Sequence, residues 1–350
     1  MDPQTDDLAH ALTPHAAFYL DPAGFAAEAD RVFARSWQLV GHLKQLATPG
    51  DFFTTQVGHE SLLLINDAGT LRGFFNVCRH RAGPIAYGCG HASRLVCRYH
   101  GWTYDLAGQL LRAPEMEGVA DFDARTVHLQ PVAVHAFGPL LFAALHATTP
   151  GFADYHAGLT AECAPLELTR MRHVLTREYA MAVNWKTYVD NFLEGYHIPL
   201  VHPALNRELD YRAYRTQLAP RRVLQFAPVQ TAGASVYGST SDGHALYFWL
   251  YPNIMLNIYE GQLQTNVVIP VDIDHTIVRF DWYACDPLPN PERDQRFRTL
   301  LAFSEQVQAE DSQICEAVQR NFSSRAFRRG RYSVQRESGV HLFHKLVRGD

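Results

Sequence analysis

Cysteine is scarce, with six residues in 350, at Cys78, Cys89, Cys97, Cys163, Cys285 and Cys315. They are too few and too scattered for a disulfide scaffold in a chain this size, so the thiols are read as reduced and open to metal. Runs of like charge are missing too. With 31 basic and 36 acidic side chains and a net charge of −5, there is no electrostatic footprint for nucleic acid. No window approaches the ~18 uninterrupted apolar residues of a membrane span. The opening MDPQTDDLAHALTP has neither the basic start nor the apolar core of a signal peptide, so a cytoplasmic protein is expected. Internal repeats and low-complexity segments are also lacking. What the sequence has is 47% apolar residues, ample for one large or two ordinary domains that act on small molecules.

Residues 22–44 place Phe25, Val32, Phe33 and Trp37 at near-helical spacing behind Asp21 and Pro22, which predicts an opening helix. From about 45 to 150 the texture changes. Short apolar runs such as SLLLIND, LRGFFNV and PLLFAAL are broken by Gly, Asp-Ala-Gly and Pro, the pattern of small antiparallel strands. Beyond 165 come a strand-like HVLTREYAMAV, a helical NWKTYVDNFLEGYH, the strands ALYFWLY, IMLNIY, QTNVVIPV and TIVRFDWYA, and a helix from Glu292 to Arg320. The tail SSRAFRRGRYSVQRE is basic and expected on the surface. The expected class is therefore α+β. A small antiparallel β domain (45–150) is inserted between an N-terminal helical part (1–44) and the rest of a larger α+β domain with an antiparallel sheet (151–350).

The β block contains CRHRAGPIAYGCGHASRLVCRYHGW, residues 78–102. Cys78 and His80 form one pair, Cys97 and His100 another, and each sits beside glycine. Four such ligands could hold zinc. A finger-type zinc site, however, usually pairs Cys with Cys and His with His. Here each pair mixes the two, which suits a Rieske [2Fe–2S] centre with two thiolates on one iron and two imidazoles on the other. Gly88, Gly90 and Gly101 relieve backbone strain, while Tyr99 and Trp102 can shield a cluster. Cys89 and His91 lie between the pairs and receive no ligand role.

A second constellation lies in NWKTYVDNFLEGYHIPLVH, residues 184–202. His197 and His202 are five apart, too far round an unbroken helix to share a metal, but Pro199 disturbs the helix between them. Among eighteen histidines chance pairs such as His341 and His344 arise easily. A third ligand should be a carboxylate, completing a two-histidine, one-carboxylate iron(II) triad with open positions. In the last long helix Val307, Ile314, Cys315 and Val318 share a stripe with Asp311 in its middle, whereas Glu310 is expected to point away. A lone carboxylate in an apolar stripe is costly without a metal or an arginine partner.

The motifs N-V-C-R-H-R, C-R-Y-H-G-W-T-Y, N-F-L-E-G-Y-H-x4-H and E-D-S-Q-I-C-E-A-V-Q resemble those of the Rieske non-haem iron oxygenase α subunits, over most of the chain. The resemblance implies a Rieske domain inserted into a helix-grip-like catalytic domain. It implies a [2Fe–2S] cluster on Cys78, His80, Cys97 and His100 and a mononuclear Fe(II) on His197, His202 and Asp311. NAD(P)H electrons would arrive through a reductase of flavin or ferredoxin type, O2 would be the oxidant, and the assembly would be a head-to-tail homotrimer. Glu194 matches the acidic residue that links one subunit's iron to a neighbour's cluster, and Asn184 an asparagine beside the iron. Many aromatic dioxygenases carry Asp at the Glu194 position; Glu occurs in relatives acting on carnitine-like compounds.

The V-C-R-H-R-A-G-P, E-G-Y-H and G-R-Y-S runs resemble most closely the choline monooxygenase, glycine betaine and stachydrine demethylase branch. Tyr247, Trp249 and Tyr251 alternate along one strand, with Tyr259 and Glu260 in the next. Aromatic faces plus a carboxylate suit a quaternary ammonium, and a sheet packing its aromatics into a core accounts for them equally well. Two alternatives stand beside this reading: an aromatic ring-hydroxylating mono- or dioxygenase, and an electron-transfer Rieske protein with no second iron.

Overall fold

The computed structural model describes residues 8–229, 236, 244–259, 261–285 and 291–349. It divides into two compact units, Ala29–Tyr155 and Met1–Glu28 with His156–Asp350. The smaller unit holds ten strands: β1 (Gln38–His42), β2 (Asp51–Val57), β3 (Glu60–Asp67), β4 (Thr70–Phe75), β5 (Cys89–His91), β6 (Leu95–Val96), β7 (Thr103–Tyr104), β8 (Leu110–Arg112), β9 (Pro131–Phe137) and β10 (Leu140–Ala144). They make a seven-stranded sheet in the order β1-β10-β9-β4-β3-β2-β5 and a three-stranded sheet β6-β7-β8. Leu63, Ile65, Phe74, Leu95, Tyr104 and Leu110 build the core beneath the two Cys/His loops.

The expected helix over 22–44 is corrected here. Helix α1 spans Pro22–Glu28, a five-residue π-turn follows over Ala29–Phe33, and β1 then pairs antiparallel with β10. Asp21 caps the start through its carboxylate, which accepts from the Ala23 and Gly24 amides. The helix ends where Ser36 turns its hydroxyl back onto the Val32 and Phe33 carbonyls, and cross-strand pairing then overrides the helical periodicity of Trp37 and its neighbours.

The larger unit is built on β11 (Arg172–Met181), β12 (Arg215–Ala219), β13 (Arg222–Pro228), β14 (His244–Leu250), β15 (Ile254–Tyr259), β16 (Gln262–Pro270) and β17 (Thr276–Ala284). These form one antiparallel sheet, β11-β17-β16-β15-β14-β13-β12. It is a meander from β12 to β17 with β11 closing beside β17. Its helices include α2 (Trp185–Phe192), α3 (Ile198–Val201), α4 (Pro203–Glu208), α5 (Pro291–Phe322) and α6 (Ser338–Arg348). The expected last long helix matches α5, whereas α6 was not foreseen. The basic tail before α6 is anchored to the N-terminal segment, where Thr13 and Gly330 bond reciprocally and Arg331 donates to the His10 carbonyl.

A buried ion pair ties α1 to α2. Lys186 and Glu28 are 1% and 3% exposed, with Nζ and Oε1 2.5 Å apart, and Trp185 Nε1 donates to the other Glu28 oxygen at 2.7 Å. Glu28→Ala should therefore cost about 3–5 kcal/mol, because it strands a buried ammonium. Chemical denaturation measures this, and a loss below about 1 kcal/mol would place the pair among ordinary surface bridges.

Candidate iron–sulfur and iron sites

The two Cys/His loops of the smaller unit have matching backbones. Ala82 donates to the Cys78 carbonyl and Cys78 to the Gly83 carbonyl; Gly101 donates to the Cys97 carbonyl and Cys97 to the Trp102 carbonyl. Each loop turns through a positive-φ residue, Ala82 at 56° and Gly101 at 74°. Gly83 admits the second loop, since a Cβ there would lie 2.9 Å from Cys97 Sγ. Cys78 and Cys97 are buried, at 3% and 2% exposure, and the His80 and His100 rings lie 4.7 Å apart. His80 stacks on Trp102, and its Nδ1 is buried without a protein partner. Burial raises the Cys97 thiol above its usual range and a hydrogen bond with Cys78 adds to it, so a cation is needed to hold Cys97 as a thiolate. Two buried thiols and two imidazoles, one with an orphaned ring nitrogen, fit a Rieske cluster.

In the larger unit, one ligand atom from each of His197, His202 and Asp311 lies within 4.8 Å of the others. His197 ends the turn after α2 and caps α3, in whose first turn Pro199 sits, so the break between the two helices precedes Pro199; His202 then caps α4, which starts at Pro203. Each imidazole gives its Nδ1 to a carboxylate: His197 to Glu194 and His202 to Glu310, both at 2.6 Å. That leaves both Nε2 atoms for a metal, the arrangement in which a carboxylate fixes the tautomer and raises ligand basicity. Asp311 Oδ1 sits 2.9 Å from His202 Nε2 and 3.7 Å from His197 Nε2. Burial tends to lower the His202 pKa, but bonds to Asp311 and Glu310 outweigh it and the net shift is upward.

Several expectations change. Glu310 does not point away from the site but holds His202. Asn184 lies apart from it: the residue caps α2 through Lys186 N and bonds the Tyr19 and Ile273 carbonyls. The asparagine at the site is Asn191, two turns further on, which donates to Asp311 Oδ1 at 2.6 Å. Glu194 is where the motif put it, also accepting from the Tyr196 and His197 amides. Gly195 beside it lets the Tyr214 ring close in, since a Cβ there would lie 2.8 Å from that ring.

A cavity of ≈ 110 Å³ opens beside the triad, with Tyr214, Tyr247 and Tyr259 in its wall. Trp249 and Tyr251 are corrected, since neither lines it. Trp249 is fully buried with its ring against Phe343 of α6, and Tyr251 follows the end of β14 with its hydroxyl directed at the Leu346 carbonyl. Alternation gave Tyr247 and Trp249 one face correctly but could not show where along it α6 gives way to the cavity. Glu260 lies outside the described residues. The sequence reading also missed a buried polar row, Gln225–Tyr247–Asn257–Gln264, formed by direct cross-strand neighbours on β13 to β16.

Residues 36–123 match the Rieske [2Fe-2S] domain family, and residues 168–349 match the ring hydroxylating alpha subunit (catalytic domain) family. The chain belongs to the Rieske oxygenases. As an oxygenase α subunit it is an oxidoreductase whose two domains carry a [2Fe–2S] cluster and a mononuclear iron. It is 34% identical to the chloroplastic choline monooxygenase of Arabidopsis thaliana, over 97% of this chain and 83% of that protein. To the carnitine monooxygenase oxygenase subunit of Escherichia coli K12 it is 30% identical, over 96% and 93%. The solved structure of a quaternary ammonium Rieske monooxygenase superposes with a TM-score of 0.87 at 26% identity, covering 99% of this chain and 97% of that one. Among the described residues no helix is long and apolar enough to cross a membrane.

Two outcomes are expected. Glu310→Ala should weaken iron binding about 10–100-fold while the cluster's absorbance is retained, as a metal titration would show; unchanged affinity would remove Glu310 from the site. Because the metal-free His202 value is raised, the apparent affinity for iron should begin to fall at a pH above the ordinary ~6.5, read by metal titration at several pH values.

Proposed function

We propose that the protein is the terminal oxygenase of a multicomponent system that hydroxylates or N-demethylates a small quaternary ammonium compound. In this reading Cys78 and Cys97 hold one iron of the cluster, His80 and His100 the other, and His197, His202 and Asp311 hold the catalytic iron. The single observation that carries the substrate class is the tyrosine wall beside the triad. The Tyr247 and Tyr259 rings meet edge to face at 6.2 Å, Tyr214 completes the wall, and Glu194 and Asp311 add negative charge. Aromatic faces with carboxylates attract a methylated ammonium, which has no N–H to donate. The choline- and carnitine-oxidising relatives support the same class.

Iron held by His197, His202 and Asp311 would supply O2 activation, for a net reaction in which C–H, O2, two electrons and two protons give C–OH and water. The chain's residues set the stage for it. Glu194 and Glu310 keep the proton on each Nδ1, Asn191 orients Asp311, and burial holds the Tyr188 and Tyr214 hydroxyls neutral, well above their usual pKa. Electrons reach the cluster from NAD(P)H through a flavin- or ferredoxin-type reductase. We place the protein in the cytoplasm as a head-to-tail homotrimer, in which His100 of one subunit faces Glu194 of the next. Large exposed side chains at both sites support such covered faces: Tyr99 beside His100, and Tyr196 and Leu200 beside the iron ligands, are 58%, 57% and 88% exposed.

The test is one turnover. Protein loaded with both metal groups, chemically reduced and freed of reductant, is mixed with O2 and ammonium compounds or arenes, and products are identified by mass spectrometry. A hydroxylated ammonium, or a demethylated one with formaldehyde, is expected; a hydroxylated arene or dihydrodiol would overturn the substrate class. Glu194→Ala should bind iron about 10–100-fold more weakly and, at iron concentrations that refill the site, still lose reductase-coupled turnover. Full coupled turnover in that variant would sink its role in electron transfer.

A further inference from the structure

We infer that Gly195 is a positioning residue for substrate recognition that acts through Tyr214: by lacking a side chain it seats the Tyr214 ring in the cavity wall, between the cavity and a neighbouring groove. This rests on the ammonium reading above. A Cβ on Gly195 would meet three atoms of the Tyr214 ring at once, Cζ at 2.8 Å, Cε1 at 3.0 Å and Cε2 at 3.1 Å. Carbon atoms in comfortable contact lie about 3.5–4.0 Å apart, so the ring would have to move. Gly195 is not among the glycines with positive φ, and its backbone conformation would accept alanine. What the position requires is room for the ring.

Where the ring would go follows from its surroundings. Tyr214 lines the cavity together with Tyr247 and Tyr259, and it also lines a separate groove of ≈ 690 Å³. Among the described residues it is the only one common to both. Its main chain is held in place. A 3₁₀ turn over Tyr211–Ala213 leads into it, with the Asp210 carboxylate accepting from the Arg212 and Ala213 amides. Arg215 Nη1 donates to the Tyr214 carbonyl at 3.0 Å, and the Arg336 guanidinium lies over the Tyr211 ring at 4.2 Å. With the backbone pinned, a displaced ring turns about its own side-chain bonds, and the groove is the open space beside it. Arg212, Arg215 and Arg336 line that groove. A wall opened in this direction would exchange an aromatic face for like charge, to the cost of an ammonium group. Gly195 therefore joins the metal site to the recognition of the cation, one residue along from Glu194.

The experiment is a double-mutant cycle on protein loaded with both metal groups. The native protein, Gly195→Ala, Tyr214→Leu and the double variant are each titrated by calorimetry with tetramethylammonium and with tert-butanol, a neutral molecule of similar size. The readout is the preference for the cation over the alcohol, which loosened packing alone would not move. In Gly195→Ala that preference should fall about 5-fold, the scale of one aromatic face on a cation, and Tyr214→Leu should lose as much. The double variant should match Tyr214→Leu, because the added methyl then has no ring to displace. An unchanged preference in either single variant, or losses that multiply in the double, would overturn the inference and leave the ammonium reading standing. Should Gly195→Ala not fold, the double variant should still fold and bind as Tyr214→Leu does, and its failure to do so would overturn the inference equally. A native protein that binds tetramethylammonium no better than tert-butanol would instead remove the ammonium reading, and this inference with it.

Discussion

An imidazole presents one nitrogen to a metal best when a partner on the other fixes its tautomer and orientation. In this protein two carboxylates do so, Glu194 for His197 and Glu310 for His202, and much of the larger unit serves to bring them there. Glu194 belongs to the turn that ends α2, and Glu310 to the middle of α5. These are joined by an antiparallel seam. Asn184 N and the Thr187 hydroxyl donate to Gln319, and Asn191 donates to Asp311, so partners fall along α5 as residues rise along α2. Such a seam fixes the axial register of the two helices to within a side chain. A slip of one turn, about 5.4 Å, would part the acid from its imidazole and the triad from itself.

The cluster loops reach a comparable precision by another route. No helix holds Cys78 and His80 or Cys97 and His100; each pair rides on a short loop closed by two backbone hydrogen bonds and turned by one left-handed residue. The loops therefore need no side-chain network to keep their shape. Their interior surfaces are given instead to Trp102, Tyr104 and the core beneath. Tyr104 sets its hydroxyl 3.3 Å from Cys78 Sγ and accepts from the Arg79 amide, so the buried sulfur gains a polar neighbour where water is excluded. A hydrogen bond to a cluster thiolate is one of the levers that raise a reduction potential.

What could be read from the sequence follows from how local each constraint is. The Cys/His pairs were legible because ligands on one loop must be a fixed few residues apart. Asp311 was legible because a carboxylate within an apolar stripe has to be explained. Glu310 was not, since helical periodicity puts it some 100° round from Asp311 and only the position of His202, a hundred residues earlier, turns it into a partner. Asn184 and Asn191 lie on one helix face two turns apart, and nothing in the motif says which end of the helix approaches the metal. Trp249 and Tyr247 share a strand face, and their fates diverge because α6 covers one and not the other. The opening helix failed for the same reason: pairing with β10, another distant contact, decided Gln38–His42.

The least legible feature is the row Gln225–Tyr247–Asn257–Gln264. Each amide sits in a strand that otherwise reads as core, as in IMLNIY, and only the register of four strands brings them side by side. An apolar residue at any of these places would suit the sheet better, because a buried amide adds nothing to folding unless both its ends are bonded. Within the row the nitrogens are satisfied by the protein and two oxygens are not. The sheet thus carries a cost in stability that an apolar row would avoid.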